Sequence, residues 1–578
     1  MTKNELKHLI DAAAGRIKAD LVIKNCQIVN VLSGEIYSGE VAIADGKIIG
    51  MGAAEYDGKQ IFDAGGKFLA PGFIDGHIHI ESSYISPEQL GRIIVPCGTT
   101  TIIADPHEIA NVCGLAGLRY MLDAAQRTKL NIVYAMPSCV PATPFEDAGA
   151  TIEAADMEEL IGDENIFGLG EFMNAPGIIN CDDKALDKIL LAKEFGKLID
   201  GHAPNLTGKD LNAYLSAGVG GDHECTTVEE MNERIAKGMY VLIREGSACH
   251  NLKTLIKGVT HANSRRVLLC SDDCQPKTIL ELGHMNKNVR MCVEEGIDPI
   301  TAIQMATINA AESVGIYDRG AIKIGAHADL VLLNDLKDFH VDKVWIGGEL
   351  VATNGKYLPQ IIPADISSVR GSVRVKNFSI DRLKMHLTGG KVNVIGIEPG
   401  GVVTRKYLAE VKHDETGDFI FDPAQDICKV AVIERHHETG KIGLGLLGGY
   451  GIKCGAVAVS VAHDSHNIIA AGVSNEEIFC AVEALIKIEG GMVLVKDGKI
   501  ISVIPLMIGG LMSDLSGEEL KEKLDALHAK AHAELGISEN VEPVMTLTFM
   551  SLPVIPEIKL TARGLFDYNQ FKFIPIEP

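Results

Sequence analysis

The segment LAPGFIDGHIH, residues 69–79, largely decides the fold. It is an apolar run that ends in His77-Ile78-His79. Side chains two positions apart on an extended strand point to the same side, so both imidazoles can reach one metal ion. Seven similar runs follow along the chain: TTTIIADPH (99–107), NIVYAMP (131–137), IFGLGE (166–171), GKLIDGH (196–202), GVGGDH (218–223), MYVLIRE (239–245) and RRVLLCSD (265–272).

Helical stretches separate these eight runs. Near-continuous apolar runs are typical of parallel strands that are buried on both faces. Eight strand–helix units over roughly 250 residues predict a (β/α)8 barrel of the TIM type. A doubly wound open sheet is the alternative, but it would not need eight units and usually carries a glycine-rich fingerprint after its first strand.

Two β-rich regions flank the predicted barrel. The first has a hairpin turn at Asp45-Gly46 and the second, far along the chain, has one at Gly347-Gly348. Together they predict one small composite β domain that is built from both regions. The α/β chain then divides into an N-terminal helix with part of the composite β domain (1–68), the barrel (69–325), the rest of the composite β domain (326–365) and a C-terminal α/β domain (366–578). The N-terminal helix is predicted over residues 3–18 from the helical spacing of its apolar side chains.

Imidazole and carboxylate groups stand at the carboxyl ends of five runs, where barrels of this type carry their functional side chains. A single histidine there is usually structural, whereas four imidazoles and two carboxylates together suit divalent ions. One catalytic metal must keep a position open for water, so six ligands exceed its needs. Two metals that share a bridging carboxylate, with Glu171 as the bridge, use them all. The predicted ligands are His77, His79, Glu171, His202, His223 and Asp272.

Other polar residues after the runs are weaker candidates. Asp105, His107 and Glu108 follow the second run and are expected to face the same cavity, with Asp105 on the substrate; a helix-capping turn is the alternative. Ser138, after the third run, is a candidate substrate contact or part of a plain loop. Arg244 and Glu245 form either part of the site or a structural ion pair.

Composition narrows the class of protein. The 578 residues carry a net charge of -23, which repels phosphate backbones and predicts no nucleic-acid partner. Thirteen cysteines, an odd number without a C-x-x-C pair, predict reduced thiols in the cytoplasm. The polar N-terminus is unlike a signal peptide, and no apolar run reaches the ~18 residues that span a bilayer, so no membrane association is expected. A barrel of this size with accessory domains is expected to form a homo-oligomer.

Two cofactor motifs can be set aside, and one histidine cluster stays open. GLGLLG (443–448) formally matches a dinucleotide fingerprint, but it leads into a predicted strand, so no helix N-terminus awaits a pyrophosphate. The zinc deaminase signature H-x-E with P-C-x-x-C is absent from the sequence. His463, Asp464 and His466, and the pair His436-His437, look like metal ligands. A solvated loop, a substrate contact or a closure of the barrel mouth are the alternatives for the first group.

The segment PGFIDGHIHIESS (71–83) resembles the opening motif of the amidohydrolase superfamily. His202, His223 and Asp272 match the later ligand positions of that superfamily. Many members have a carboxylated lysine at the end of the fourth strand, where this chain has Glu171 in GLGEF. This departure is similar to the adenine deaminase branch, as are ADPHEIANVCG, MPSCVPATPFE, LLCSDD and the long region after residue 366.

The resemblance implies a binuclear site for manganese or iron, with zinc as a third option. It implies the hydrolysis of adenine to hypoxanthine and ammonia by a metal-activated hydroxide. Asp272 would move the proton from water to the leaving amine, and Glu108 or His107 would protonate a ring nitrogen. Two alternatives remain. One is a related hydrolase that acts on a cyclic amide or an N-acyl compound. The other is a non-enzymatic scaffold, although such proteins lose metal ligands and this chain retains six.

Overall fold

The computed structural model describes residues 2–53, 55–398 and 402–578. Its centre is a barrel of parallel strands, as predicted. Asp272 in the eighth strand pairs with Ile78 in the first and so closes the barrel. Between the fifth and sixth strands, the Gly220 amide donates a hydrogen bond of 2.9 Å to the Ile199 carbonyl. The barrel strands are Phe73–His79, Thr99–Ala104, Asn131–Met136, Ile166–Phe172, Leu198–Gly201, Gly221–Asp222, Tyr240–Arg244 and, in two pieces, Val267–Cys270 and Asp272–Asp273.

Helices connect the barrel strands and cover them. Their apolar faces pack on the strands, which explains why the strand sequences are apolar on both sides. The helices of this part are Pro87–Ile94, His107–Cys113, Leu115–Ala125, Ala154–Met157, Ala175–Ile179, Asp183–Glu194, Gly208–Ser216, Val228–Ala236, Leu252–Leu255, Pro276–Leu282, Met285–Glu294, Pro299–Met305 and Ile308–Ser313.

The two flanking β regions join in one nine-stranded sheet. Phe68–Pro71 pairs antiparallel with Leu330–Leu333, which connects the two regions. Asp45 and Gly46 have φ of 48° and 71°, the conformation that a tight hairpin turn requires. The other strands are Ala19–Asn30, Glu35–Ala44, Lys47–Gly52, Gly58–Asp63, Val341–Ile346, Glu349–Thr353 and Lys356–Tyr357. The residue boundaries of the four-part division stay a prediction.

The C-terminal region, residues 366–578, is built around an eight-stranded sheet that is mostly antiparallel. In spatial order its strands are Thr404–Glu410, Lys391–Ile397, Ile442–Gly448, Ile427–Ile433, Ile468–Gly472, Ala456–Val459, Gly491–Lys496 and Lys499–Pro505. GLGLLG lies within Ile442–Gly448, which excludes a phosphate-binding turn there. The remaining elements are helices Asn475–Lys487, Gly517–Leu535 and Met545–Thr548 and strands Lys412–His413, Phe419–Ile420, Ile558–Thr561, Gly564–Asp567 and Lys572–Ile574.

The largest apolar core continues from the barrel into the C-terminal region. Ile109 and Val112 of the barrel belong to the same cluster of buried residues as Ile508 and Leu511. The N-terminal helix is shorter than predicted, because it spans Lys3–Ala13 and the chain turns at Gly15 with φ of 69°. Among the described residues, no helix combines the length and the apolar character that a bilayer crossing requires.

Candidate metal centre and active site

The six predicted ligands meet at the carboxyl end of the barrel. The ring nitrogens Nε2 of His77 and His79 lie 3.2 Å apart. The Nε2 atom of His79 is 3.1 Å from an Asp272 carboxylate oxygen. Five of the six side chains are buried, and His202 is partly buried. The alternation of side chains along the first strand therefore brings both imidazoles to one point, as the H-x-H spacing indicates.

Glu171 lies between two pairs of imidazoles. Its Oε1 atom is 3.3 Å from His79 Nε2 and 4.0 Å from His77 Nε2. Its Oε2 atom is 2.8 Å from His202 Nδ1 and 3.1 Å from His223 Nε2. Each carboxylate oxygen thus faces its own pair of ring nitrogens, which is the arrangement that a carboxylate needs to bridge two ions.

The donor chemistry of this cluster fits divalent ions. The Nδ1 atom of His79 lies 3.0 Å from the Asp105 carbonyl oxygen and donates to it, which leaves Nε2 unprotonated in the neutral ring. This unprotonated nitrogen, which lies 3.2 Å from His77 Nε2, is the atom through which a neutral imidazole binds a metal ion. The buried Nδ1 atom of His223 has no hydrogen-bond partner among the described residues, so this ring retains an unused ligand atom.

Carboxylate charge makes the cluster attractive to cations. Burial lowers the pKa of His223, but Glu171, Glu224 and Asp272 together raise it, and the net result is a pKa of about 9. Burial also lowers the pKa of His202, while Glu224 and Glu171 raise it, with a net increase. Burial favours a higher pKa for Glu171, yet the surrounding imidazoles hold it well below its usual range. Glu171 therefore stays ionised, as a bridging ligand must.

Arg244 and Glu224 form a charged pair beside Asp272. Arg244 Nη1 donates a hydrogen bond of 3.0 Å to Asp272 Oδ2, and Arg244 Nη2 donates one of 3.1 Å to Glu224 Oε2. Glu224 also approaches His223 Nε2 at 3.5 Å. Sequence reasoning missed Glu224, although it directly follows a predicted ligand. Glu245 accepts from His250 Nδ1 at 2.8 Å and does not line the cavity, so of the two residues left open only Arg244 belongs to the site.

Asp105 and Ser138 are not among the residues that line the cavity, and the structure places both side chains on the backbone of Glu171. The Glu171 backbone amide donates to Asp105 Oδ2 at 2.9 Å. The Ser138 hydroxyl donates to the Glu171 backbone carbonyl at 2.7 Å. Both side chains are buried, and they bind the two backbone polar groups of Glu171. Their contacts fix the position of the bridging carboxylate.

His107 and Glu108 both line the cavity, as expected. His107 Nδ1 is 3.3 Å from Glu171 Oε1. Glu108 lies between two imidazoles of the C-terminal region, with His463 Nδ1 and His466 Nε2 each 2.8 Å from one of its oxygens. Burial favours a higher pKa for Glu108, but both imidazoles hold it well below its usual range. A carboxylate that is kept charged is a poor proton donor, which favours His107 over Glu108 as the candidate acid.

The C-terminal region supplies part of the cavity wall. His463 and Asp464 line the cavity together with barrel residues such as His79 and His107. Of the alternatives for this histidine cluster, the solvated loop is therefore wrong, because the loop is buried against the barrel. The rings of His436 and His437 instead donate to the backbone carbonyls of Ser465 and Ala148. The cavity holds about 410 Å³, which suits a small molecule.

Known families match both halves of this architecture. The amidohydrolase family matches residues 68–351, and the adenine deaminase C-terminal domain matches residues 401–572. The chain is 58% identical over its whole length to adenine deaminase 2 of Desulfotalea psychrophila, of which it covers 100%. It belongs to the adenine deaminase family.

Other relatives in the adenine deaminase family are also similar over their full length. The adenine deaminase of Ligilactobacillus salivarius is 51% identical, with 100% of both chains covered. The adenine deaminase of Nitratidesulfovibrio vulgaris is 47% identical, with 99% of both chains covered. The relationship to the adenine deaminase family therefore includes the C-terminal region and not only the barrel.

Proposed function

We propose that this protein hydrolyses adenine to hypoxanthine and ammonia. One observation carries the proposal: Glu171 directs each of its oxygens at a separate pair of imidazoles, in a chain that is 58% identical to an adenine deaminase over its whole length. The cavity above this carboxylate has a size suited to a small heterocycle. A hydrolase for cyclic amides or N-acyl compounds is the alternative, and the full-length relatives do not favour it.

The six ligands predicted from the sequence are the residues that would hold two divalent ions. The ions would be manganese or iron, with zinc as a third option, because imidazole and carboxylate donors suit all three. When bound, such ions lower the pKa of a water molecule and polarise the group under attack. Asp105 and Ser138 act as positioning residues for Glu171 through its backbone amide and carbonyl.

Asp272 is proposed as the general base and acid. It accepts a proton from the attacking water and delivers it to the amine that leaves the ring. Arg244 holds Oδ2 of Asp272, so that Oδ1 is directed toward His79 and the reacting atoms. His107 is the proposed proton donor to the purine ring, since it lines the cavity. Burial lowers the pKa of His107, but Asp105 and Glu171 raise it, so that the pKa lies well above its ordinary value.

The first experiment is an ammonia-release assay on manganese-loaded protein. Adenine, adenosine, cytosine and guanine are compared side by side. Release from adenine alone supports the proposal. If no base releases ammonia although metal is bound, the adenine assignment fails, and a screen for new carboxylate groups from cyclic amides and N-acyl compounds then tests the alternative.

We propose in addition that the protein works in the cytoplasm as a homo-oligomer, without nucleic-acid or membrane partners. The support for this is the charge of -23 and the reduced cysteines of the sequence. Light scattering of the purified protein measures the oligomeric state directly.

A further inference from the structure

His463 of the C-terminal region faces the cavity with an imidazole that the proposed mechanism does not use. Its ring stacks on Phe549, with centroids 4.5 Å apart and planes at 19°. Its backbone amide donates to the Thr548 carbonyl at 3.1 Å. Its Nδ1 atom is 2.8 Å from Glu108 Oε1. These contacts fix the ring on one face and at one nitrogen, and the Nε2 atom has no hydrogen-bond partner among the described residues.

A metal site is the first alternative for this cluster, because ligand atoms of Glu108, His463 and His466 lie within 4.8 Å of one another. The tautomer of His466 argues against it. The Ala462 backbone amide donates to His466 Nδ1 at 3.2 Å, and a backbone amide can only donate. The proton of the neutral His466 ring is therefore on Nε2, the atom that faces Glu108. A protonated nitrogen does not bind a metal ion, and this Nε2 atom has no hydrogen-bond partner among the described residues, although it lies 2.8 Å from Glu108 Oε2.

The surroundings of His463 are mainly acidic. Glu108, Asp273 and Asp464 face it, and His466 is the neighbouring base. Burial lowers the pKa of His463, but Glu108, Asp273 and Asp464 together raise it, and the net result is a pKa of about 9. With one N–H directed at Glu108, the cationic ring presents its second N–H at Nε2. Such a group is a strong hydrogen-bond donor toward a neutral acceptor.

We propose that His463 is a substrate-binding residue whose Nε2 donates a hydrogen bond to a ring nitrogen of the bound purine, with Glu108 as the positioning residue for the imidazole. The inference rests on the proposed function, because it presupposes a purine in the cavity. It gives the C-terminal region a direct part in recognition. A ring nitrogen is the matching partner since it is an unprotonated acceptor at the edge of a flat heterocycle.

The test combines protein variants with altered ligands. Manganese-loaded wild type, His463→Gln and Glu108→Gln are compared in the binding of adenine and of adenine analogues in which one ring nitrogen at a time is replaced by CH. Inhibition constants are measured for analogues that are not turned over. His437→Gln is the matched control, because that imidazole also lies in the C-terminal region but donates to the Ala148 carbonyl outside the cavity.

In the wild type, one analogue should bind about 10- to 100-fold more weakly than adenine, the usual effect of losing a hydrogen bond to a charged group. His463→Gln should weaken adenine binding by a similar factor and show no further loss with that analogue. Glu108→Gln should share this pattern in weaker form, and His437→Gln should behave as the wild type does.

Three results would overturn the proposal. The first is that His463→Gln retains the full penalty for every analogue. The second is that His463→Gln loses a metal equivalent, which would make the cluster a metal site. The third applies if His463→Gln does not fold: it is that Glu108→Gln loses as much affinity as the wild type does for every analogue. Failure of the proposed function is distinguishable, because then the wild type itself releases no ammonia from adenine.

Discussion

Replacing Asp272 by Asn tests the proposed proton transfer. The amide has nearly the shape of the carboxylate, and it keeps one oxygen that can face either His79 or Arg244, 3.1 and 3.0 Å away in the wild type. Arg244 retains Glu224 as its ionic partner, so the local charge stays compensated. The amide cannot accept a proton from water. General-base catalysis contributes about 10²- to 10⁴-fold, or about 3–5 kcal/mol of barrier, so kcat should fall by that factor.

The assay is ammonia release at saturating adenine, with the metal content of each preparation measured alongside. Five of the six predicted ligands are unchanged in the variant, and the metal content should equal that of the wild type. Asp273→Asn is the matched control, since it removes the neighbouring carboxylate, whose Oδ1 accepts a hydrogen bond from the Ser82 hydroxyl. In this control variant, kcat should change by less than about tenfold. A kcat of Asp272→Asn within tenfold of the wild type, at equal metal content, would refute the proton-transfer role.

Three further predictions concern the metal centre and stability. Glu171→Gln removes the charge between the two imidazole pairs, so metal analysis should find fewer ions per chain than in the wild type; an unchanged content would contradict the bridging role. Arg234→Met removes the ionic partner of buried Asp222, which lies 2.7 Å from Arg234. Urea denaturation should show a free energy of unfolding that is lower by about 3–5 kcal/mol. The control Arg119→Ala removes an exposed ion pair and should lower it by about 1 kcal/mol or less. Burial lowers the pKa of Lys559 to about 7, well below the pKa of a lysine in the unfolded chain. Between these two pKa values the unfolded chain binds more protons than the folded chain. The free energy of unfolding should therefore rise with pH toward 10, by at most about 1.4 kcal/mol per pH unit. Lys559→Met should abolish this slope in urea titrations, and a slope that persists would assign it to other groups.

The sequence was sufficient to predict the barrel and the meeting of the six candidate ligands at one end of it, because both depend on local patterns. An apolar run indicates a buried strand, and a polar group at its carboxyl end indicates a side chain at the functional face of the barrel. The H-x-H spacing indicates that both imidazoles point to the same side of the strand. The roles of Asp105 and Ser138 were not predictable in this way. Whether a side chain after a strand faces the cavity or a neighbouring backbone group depends on the path of the loop, and here both side chains bind backbone groups of Glu171.

His463 was out of reach for a different reason. It lies 191 residues after Asp272, and no periodicity in VAHDSHN indicates which part of the barrel it meets. Only the packing of the C-terminal sheet on the barrel brings it to Glu108. Glu224 is an intermediate case. Its place beside His223 was a usable signal, because strand ends that supply one ligand often supply its charged neighbour, and Arg244 at the next strand end was already a candidate partner.

The division of labour between the barrel and the C-terminal region follows from these contacts. All six predicted ligands lie in the barrel. The cavity above that centre is completed by C-terminal side chains such as His463 and Phe549. Asp147 of the barrel pairs with Lys441 and Arg563, and the apolar core is continuous across the same boundary. In the proposed function, the barrel would supply the residues for hydrolysis, and the C-terminal region would supply part of the wall that contacts the heterocycle.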